Sequence, residues 1–468
     1  MTQPDHSLRE KATAIVLKLQ QAGFAAYWVG GCVRDFLLKR EPCDYDIATS
    51  ARPEQIEGRF RRTIAVGRKF GVMVVVEGKH QFQVATFRAE ADYRDGRHPE
   101  QVRFADAQAD AMRRDFTVNG LFYDPVEERL HDWVGGEADL RARRIRTIGS
   151  PQERFAEDHL RLLRAVRFAA QLGFVIEPAT LEAIRQSGSR IKTVSAERIR
   201  DELLKLFSPP HASRGLELLD ESGLLEHVLP ELAPAKTCDQ SPEFHPEGTV
   251  FAHLLLMLKN LPHDADPLLP WAVLLHDIAK PRTASRDPST GAIHFYEHER
   301  LGADMAEALL ERLRFPRKQI DAVVKAVRCH MQFKDAPHMR KATLRRMLMR
   351  STFPLELQLH RVDCLGSHGQ LEIYDFLVEQ SKKLDALPEM RPPLLTGKDL
   401  LAMGMKSGPA MGALLNELRE KQLQDELQSA AEAKEWARKR MTGKGTLPRN
   451  KRNKRKKSGP SDHSEDEG

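Results

Sequence analysis

The feature that most constrains this chain is a glycine pair in Val29-Gly30-Gly31-Cys32-Val33-Arg34-Asp35, followed closely by Asp44-Tyr45-Asp46-Ile47. The glycines stand between an apolar segment and a helix predicted over Val33 to Leu38. There they let backbone N–H groups approach a phosphate, with Arg34 on the first turn to neutralise it. Asp44 and Asp46 sit two apart in a run that suits a strand, so both carboxylates are expected to project from one face. Such a pair can hold one or two divalent cations against a triphosphate, activating an attacking hydroxyl and steadying the leaving pyrophosphate. A lone Gly-Gly or a lone Asp-x-Asp is usually only a helix start or a solvated strand edge; the two in this order point to a nucleotide.

The surrounding pattern predicts a small mixed sheet. An amphipathic helix is expected over 7–22 (Ala12, Ile15, Val16, Leu19), before a Tyr27-Trp28-Val29 strand. Ser50 is expected to cap a helix at Ser50-Ala51-Arg52-Pro53-Glu54. The β-branched runs Ile64–Gly67 and Val72–Val76, then a Glu77-Gly78-Lys79 turn into Phe82–Arg88, read as strands with a hairpin. Asp92 to Pro99 is a charged loop with Gly and Pro. In Arg113-Arg114-Asp115-Phe116-Thr117-Val118-Asn119-Gly120, Arg114 can pair with phosphate, and Asp115 or Asn119 can bond ribose hydroxyls.

A third stretch, Glu157-Asp158-His159-Leu160-Arg161-Leu162-Leu163-Arg164-Ala165-Val166-Arg167-Phe168, reads as one helix. Leu162, Leu163, Val166, Ala169 and Ala170 gather on one side, while Asp158, Arg161, Arg164 and Arg167 step by three across the other. Exposed ion pairs add little stability, so such a row asks for another purpose. Cytosine and adenine share an exocyclic amino group beside an unprotonated ring nitrogen. Asp158 can accept from the amino group while Arg161 donates to the ring nitrogen. Uracil and guanine offer a carbonyl and a ring N–H instead, and would leave buried partners mismatched. Arg164 and Arg167 can then reach the triphosphate.

These stretches together resemble the class II tRNA nucleotidyltransferase and bacterial poly(A) polymerase family, whose head has the polymerase-beta-type nucleotidyltransferase fold. The 113–120 run is similar to the family's Arg-Arg-Asp-Phe-Thr-Ile-Asn-Ala, with Val118 and Gly120 as mild departures. Glu157-Asp158 with Arg161, followed by Arg164-Ala165, resembles its amino-acid template for the incoming base, and Ala196–Leu204 its next helical motif. The 92–99 loop resembles the flexible loop that goes with switching from adding C to adding A. One departure is Gln83, where the family commonly carries a third carboxylate; an amide can still accept from water or a metal but brings no charge.

Further along, histidines and aspartates follow a second order: His253 in an apolar helix, His276-Asp277 in Leu274–Pro281, then His298, His330 and Asp363. Imidazoles and carboxylates on helices suit one or two divalent metals of the Mn, Ni, Fe or Mg kind. The set resembles the HD phosphohydrolase superfamily, a module that many bacterial members of the nucleotidyltransferase family carry. It implies hydrolysis of a phosphodiester or phosphomonoester by metal-activated water, with a 2′,3′-cyclic phosphate at an RNA end as one candidate.

At 468 residues the chain is too long for one core. The expected plan is α+β: a nucleotidyltransferase head (1–150), a helical neck (151–215), a helical body with the HD-type module (216–385), a C-terminal helical region (386–442) and a basic-then-acidic disordered tail (443–468). Hydrophobic content of 41% with 30% charged residues describes a folded globular protein, and no apolar run approaches the roughly 20 residues that span a bilayer. The start lacks a basic-then-apolar leader pattern. Cys32, Cys43, Cys238, Cys329 and Cys364 show no CxxC spacing, so reduced thiols in a cytoplasm are expected. The net charge of +6 is mild, but the clustered arginines favour a phosphate backbone.

The resemblance implies template-independent addition of C, C and A from CTP and ATP to the 3′ end of tRNA, with pyrophosphate released and Asp44 and Asp46 holding Mg²⁺. The implied nucleotide-binding residues are Gly30, Gly31, Arg34, Arg114, Asp115, Asn119, Asp158, Arg161, Arg164 and Arg167. Mn²⁺ or Ni²⁺ is the implied ion for the HD-type module. An A-adding enzyme or poly(A) polymerase of the same family is the nearer alternative, and a metal-dependent phosphohydrolase with an RNA-binding head the more distant one.

Overall fold

The computed structural model describes residues 6–68, 71–93, 99–243, 245–387 and 392–442. The chain divides into two compact units, one of residues 1–334 with 352–374 and one of 335–351 with 375–468.

The first unit opens with a helix, His6–Gln21, whose Ala12, Ile15, Val16 and Leu19 are fully buried, as their spacing requires. A seven-stranded mixed sheet follows. Its strands are β1 (Ala26–Val29), β2 (Asp46–Thr49), β3 (Thr63–Gly67), β4 (Val72–Glu77) and β5 (His80–Thr86), then, beyond a separate β6–β7 hairpin (Arg88–Tyr93, Pro99–Phe104), β8 (Phe122–Asp124) and β9 (Arg129–His131). The order across the sheet is β3-β4-β5-β2-β1-β8-β9, with β2 and β5 parallel and the other pairs antiparallel. The β4–β5 turn runs through Gly78 at φ +65°, which a glycine adopts without strain. One sheet face packs Trp28, Ile47 and Val84 against the first helix; the other carries Val29, Ala48, Phe87 and Phe122.

Three local expectations are corrected. Ser50 is no cap: the third helix of the head is Pro53–Glu57, with Arg52 at the N-cap position, while Ser50 Oγ accepts from the Ala25 N–H at 3.0 Å. Proline at the first helical position, with no N–H to satisfy, displaces the start three residues beyond the serine. The glycine-pair helix begins earlier, at Gly31, and ends at Leu37. The 92–99 loop is shorter than expected, because Tyr93 and Pro99 belong to β6 and β7; the expected tip, 94–98, lies outside the described residues.

Beyond the head the described part of the first unit is helical, except for Val175–Ile176, which pairs in parallel with Arg144–Ile145, and a short hairpin, Ala284–Arg286 with Ile293–Phe295, that the helical pattern concealed. The stretch read as one helix over 157–168 is two: Pro151–Glu157 and Leu160–Leu172, broken at Asp158, whose backbone is extended. Asp158 Oδ1 accepts from the Leu160 N–H at 3.1 Å, so the carboxylate that interrupts the helix also satisfies the start of the next.

The second unit contains Lys341–Leu348, Gly397–Ala402, Pro409–Leu423 and Ala430–Met441. Its core joins Leu400, Met411, Leu414, Leu418 and Ala433. The expected C-terminal helical region is divided at residues 424–429, where Asp425 has φ +62° and pairs with the buried Arg345 at 2.5 Å. The tail beyond 442 lies outside the described residues. Among the described residues no helix is long and apolar enough to cross a membrane.

Candidate nucleotide site and His-Asp centre

Sheet register places the first site. Val29 pairs with Asp46 across β1 and β2, so the chain leaves the sheet into Gly30 just where Asp46 begins its strand. Gly30 has φ +75°, so the turn requires glycine, and a Cβ there would stand 3.0 Å from Arg114 Nη1 and push that guanidinium aside. Asp44 lies outside the strand, before β2, rather than on it with Asp46; both nevertheless line one cleft of about 560 Å³. Burial, and then the neighbouring Asp44 charge, push Asp46 up to about 6 against the pull of Arg114. Two carboxylates held so against their own repulsion are a candidate cation site.

The same cleft is lined by Gly30, Gly31, Arg34, Arg114, Asp115, Asn119, Asp158, Arg161, Arg164 and Arg167, with Arg113, Phe168 and Lys205 added. Seven basic side chains thus face four carboxylates, a surplus that suits a polyanion. The cleft is prearranged by a chain of side chains. Arg34 Nη1 donates to Asn119 Oδ1 at 2.7 Å, Asn119 Nδ2 donates to Asp115 Oδ1 at 3.2 Å, and Arg164 Nη2 donates to Asp115 Oδ2 at 2.6 Å. Burial acts to raise Asp115, but the Arg164 charge and hydrogen bonds overcome it and hold the group at about 2. Phe168 gathers three guanidinium groups over its ring, Arg167 at 4.0, Arg164 at 5.1 and Arg34 at 5.5 Å from the centroid. The aromatic face offsets part of their mutual repulsion.

Asp158 and Arg161 are both present at this cleft and both held. Asp158 Oδ2 accepts from Arg198 Nη2 at 2.7 Å; Arg161 pairs with Glu157 and donates from Nη1 to the Arg154 carbonyl at 3.0 Å. Gln83 does not line the cleft. One step back from the Ile47–Val84 pair it stands beside Asp46 on the same sheet face, exposed. Sequence reasoning missed Asp110, which holds Arg113 and Arg114, and Glu202, 2.5 Å from Arg167. Asp110 stands three and four residues before its partners, a helical spacing that could have found it; Glu202, 35 positions from Arg167, gives no such local signal.

The second constellation also converges. His253 lies on the Val250–Lys259 helix, His276 ends Leu269–His276 with Asp277 just beyond, and His298 begins His298–Arg312. His330 follows Arg317–Cys329, and Asp363 lies on Phe353–Gly366. His253 Nε2 is 3.1 Å from Asp363 Oδ1, His276 Nε2 3.0 Å from Asp277 Oδ2, and His298 Nε2 3.4 Å from Asp277 Oδ1 and 3.2 Å from His330 Nε2. All of these but Asp363, which meets the cluster through His253, fall into two overlapping candidate metal-ligand groups, His253-His276-Asp277 and Asp277-His298-His330. Despite these short separations, buried His276 Nε2 and Asp277 Oδ1 make no well-directed hydrogen bond, which is what donor atoms reserved for a cation would look like. Burial and then the His276 charge hold His330 down at about 4, so this imidazole keeps the neutral form that ligation needs. His245, Glu247 and Lys280 complete the surroundings; the last donates to Asp277 Oδ2 at 2.7 Å.

Three family models match the chain: Poly A polymerase head domain over 26–146, probable RNA and SrmB-binding site of polymerase A over 173–236, and HD domain over 248–365. The CCA-adding enzyme of Geobacillus sp. (strain WCH70) is 45% identical over 220 residues, covering 47% of this chain and 54% of that protein, so the matched part spans about half of that relative. The A-adding tRNA nucleotidyltransferase of Deinococcus radiodurans is 34% identical over 422 residues, 87% of this chain and 93% of its own. Among solved structures, the Bacillus stearothermophilus CCA-adding enzyme in complex with CTP superimposes with a TM-score of 0.70 at 28% identity, over 94% of this chain and 100% of that one.

Proposed function

Because the chain belongs to the tRNA nucleotidyltransferase and poly(A) polymerase family, we propose that it adds C, C and A, from CTP and ATP, to the 3′ end of tRNA and releases pyrophosphate. The observation that carries this reading is the single cleft joining Asp44 and Asp46, the arginines around Phe168, and Asp158 with Arg161. Asp44 and Asp46 are the groups to hold Mg²⁺, which when bound supplies Lewis-acid activation of the primer hydroxyl and charge neutralisation at the phosphates. Gly30 lets the phosphates come close to backbone, while Arg34, Arg114, Arg164 and Arg167 neutralise them. Asp115 fixes Arg164 and Asn119 fixes Arg34, and both keep acceptor capacity for the ribose. Asp158 and Arg161 select the base. We infer a cytoplasmic setting from tRNA as the proposed substrate, a compartment whose reducing conditions suit the five free cysteines.

The test is product length. tRNA lacking its last three nucleotides, given Mg²⁺ with CTP, ATP or both, should grow by three and stop only when both are present. Growth by a single A on tRNA already ending in CC, without C addition, would make it an A-adding enzyme, a reading favoured by the relative that matches nearly end to end. An unlimited ATP ladder would make it a poly(A) polymerase.

We further assign metal-dependent phosphoester hydrolysis to the His-Asp centre, with Mn²⁺ or Ni²⁺ as its ion. Hydrolysis of a 2′,3′-cyclic phosphate in the presence of Mn²⁺ should fall at least about 100-fold, a scale set by loss of metal-ion catalysis, in a His276→Ala, Asp277→Ala double variant. CCA addition should persist in that variant. An equal loss of both activities would sink the assignment.

A further inference from the structure

The four histidines of the His-Asp centre are oriented in two different ways. In His276, His298 and His330, Nδ1 faces the backbone carbonyl three residues earlier, that of Val273 at 2.8 Å, Phe295 at 2.8 Å and Val327 at 2.7 Å. A carbonyl only accepts, so Nδ1 carries the proton and Nε2 is left to the cluster. His253 points the same nitrogen inward, with Nε2 at Asp363 Oδ1, but its Nδ1 meets a carboxylate: Glu247 Oε1 at 2.7 Å. The nearest carbonyl, that of Gly366, is farther, at 3.3 Å.

Glu247 is built into this place. It precedes the Val250–Lys259 helix, whose start is fixed by Thr249 accepting from the Ala252 N–H, so the chain folds back over His253 at the helix's first turn. Its side chain is only 6% exposed, and His245 Nδ1 also approaches Oε1, at 2.9 Å. A buried carboxylate costs stability unless it is matched, and Oε2 has no hydrogen-bond partner. Packing alone would be served better by an apolar residue.

We propose that Glu247 is the positioning carboxylate of this centre: it fixes the His253 tautomer and raises the basicity of Nε2, making His253 a firmer metal ligand than the three histidines set by carbonyls. A carboxylate behind a ligating imidazole strengthens the ligand through the shared proton, and its loss commonly costs about 10- to 100-fold in metal affinity. The proposal rests on the metal-binding reading of the same cluster.

The decisive variant is Glu247→Gln in the full chain, stripped with chelator and titrated with Mn²⁺ by equilibrium dialysis. Glutamine keeps size and an acceptor oxygen but removes the charge. The expected result is a Kd raised about 10-fold or more, with a further rise for Glu247→Ala, whose His253 must fall back on the Gly366 carbonyl. Melting of the stripped protein is measured in parallel, because a merely structural glutamate would lower Tm and leave the Mn²⁺ affinity of the folded protein alone. Wild-type affinity in Glu247→Gln overturns the proposal whatever its Tm. A wild-type chain that takes up no Mn²⁺ at this cluster overturns the metal reading itself, a distinguishable failure.

Discussion

Asp46→Asn should add nucleotides at least about 10⁴-fold more slowly than wild type, a barrier increase of about 5.5 kcal/mol. The figure follows from what the side chain is placed to do. Asp46 opens its strand opposite Val29 and beside the glycine turn, in the cleft shared by Asp44 and the phosphate-facing arginines. Replacing the carboxylate by an amide removes a charge from the cation site, and the several kcal/mol of transition-state stabilisation that a metal provides go with it. Stability should move the other way. Burial and the Asp44 charge raise Asp46 to about 6, so at neutral pH its ionised form is held at a cost that a neutral amide of the same size does not bear. Asp46→Asn should therefore melt no lower than wild type in the absence of divalent metal, while single-turnover addition to tRNA nearly vanishes. Addition within tenfold of wild type would remove Asp46 from the metal site; a sharply lowered Tm would make it a structural residue.

The same contrast explains how much of the molecule was legible beforehand. Gly30-Gly31, Asp44 and Asp46 could be read because their chemistry lies within one short stretch, and the sheet register joins them through one antiparallel pair. The 113–120 run was legible as a motif, yet its wiring was not. Asp115 is held by Arg164, 49 positions away, and Asn119 by Arg34, 85 positions away. Periodicity encodes which face a residue occupies but not which distant partner it meets. The same limit hid Glu202, 35 positions from Arg167; Glu247 lies only six positions before His253, but in a turn, where neither helical nor strand spacing applies. The break at Asp158 was hidden for a different reason. Residues 157–168 keep helical spacing straight through it, and only the side-chain hydrogen bond to the Leu160 N–H reveals the interruption.

That break bears on base selection. An aspartate in mid-helix would project beside Arg161 only approximately; at a helix junction, with Oδ1 on the Leu160 N–H and Oδ2 on Arg198, Asp158 is clamped from both ends. Each carboxylate oxygen still has acceptor capacity for a base amino group, and Arg161 has donors beyond those given to Glu157 and the Arg154 carbonyl, so neither must break a bond to recognise cytosine or adenine. Asp158→Asn is the sharpest test, because an amide oxygen can keep the Leu160 bond while the amide nitrogen turns a required acceptor into a donor. A site that hydrogen-bonds its substrate rejects the mismatched analogue by about 10⁴-fold, and this exchange should cut CTP-over-UTP discrimination to about 10-fold or less. The loss should come from both sides, since the new N–H opposes the amino group of cytosine and suits the O4 carbonyl of uracil. Asp158→Asn also turns a donor toward Arg198, as Arg161→Ala strands Glu157, so Tm is measured for both variants alongside. kcat/KM for each of the four nucleotides, on tRNA lacking its last three residues, gives the comparison directly. Discrimination retained in Asp158→Asn would show that the base is read by other groups and that the clamped carboxylate serves only to begin the helix behind it.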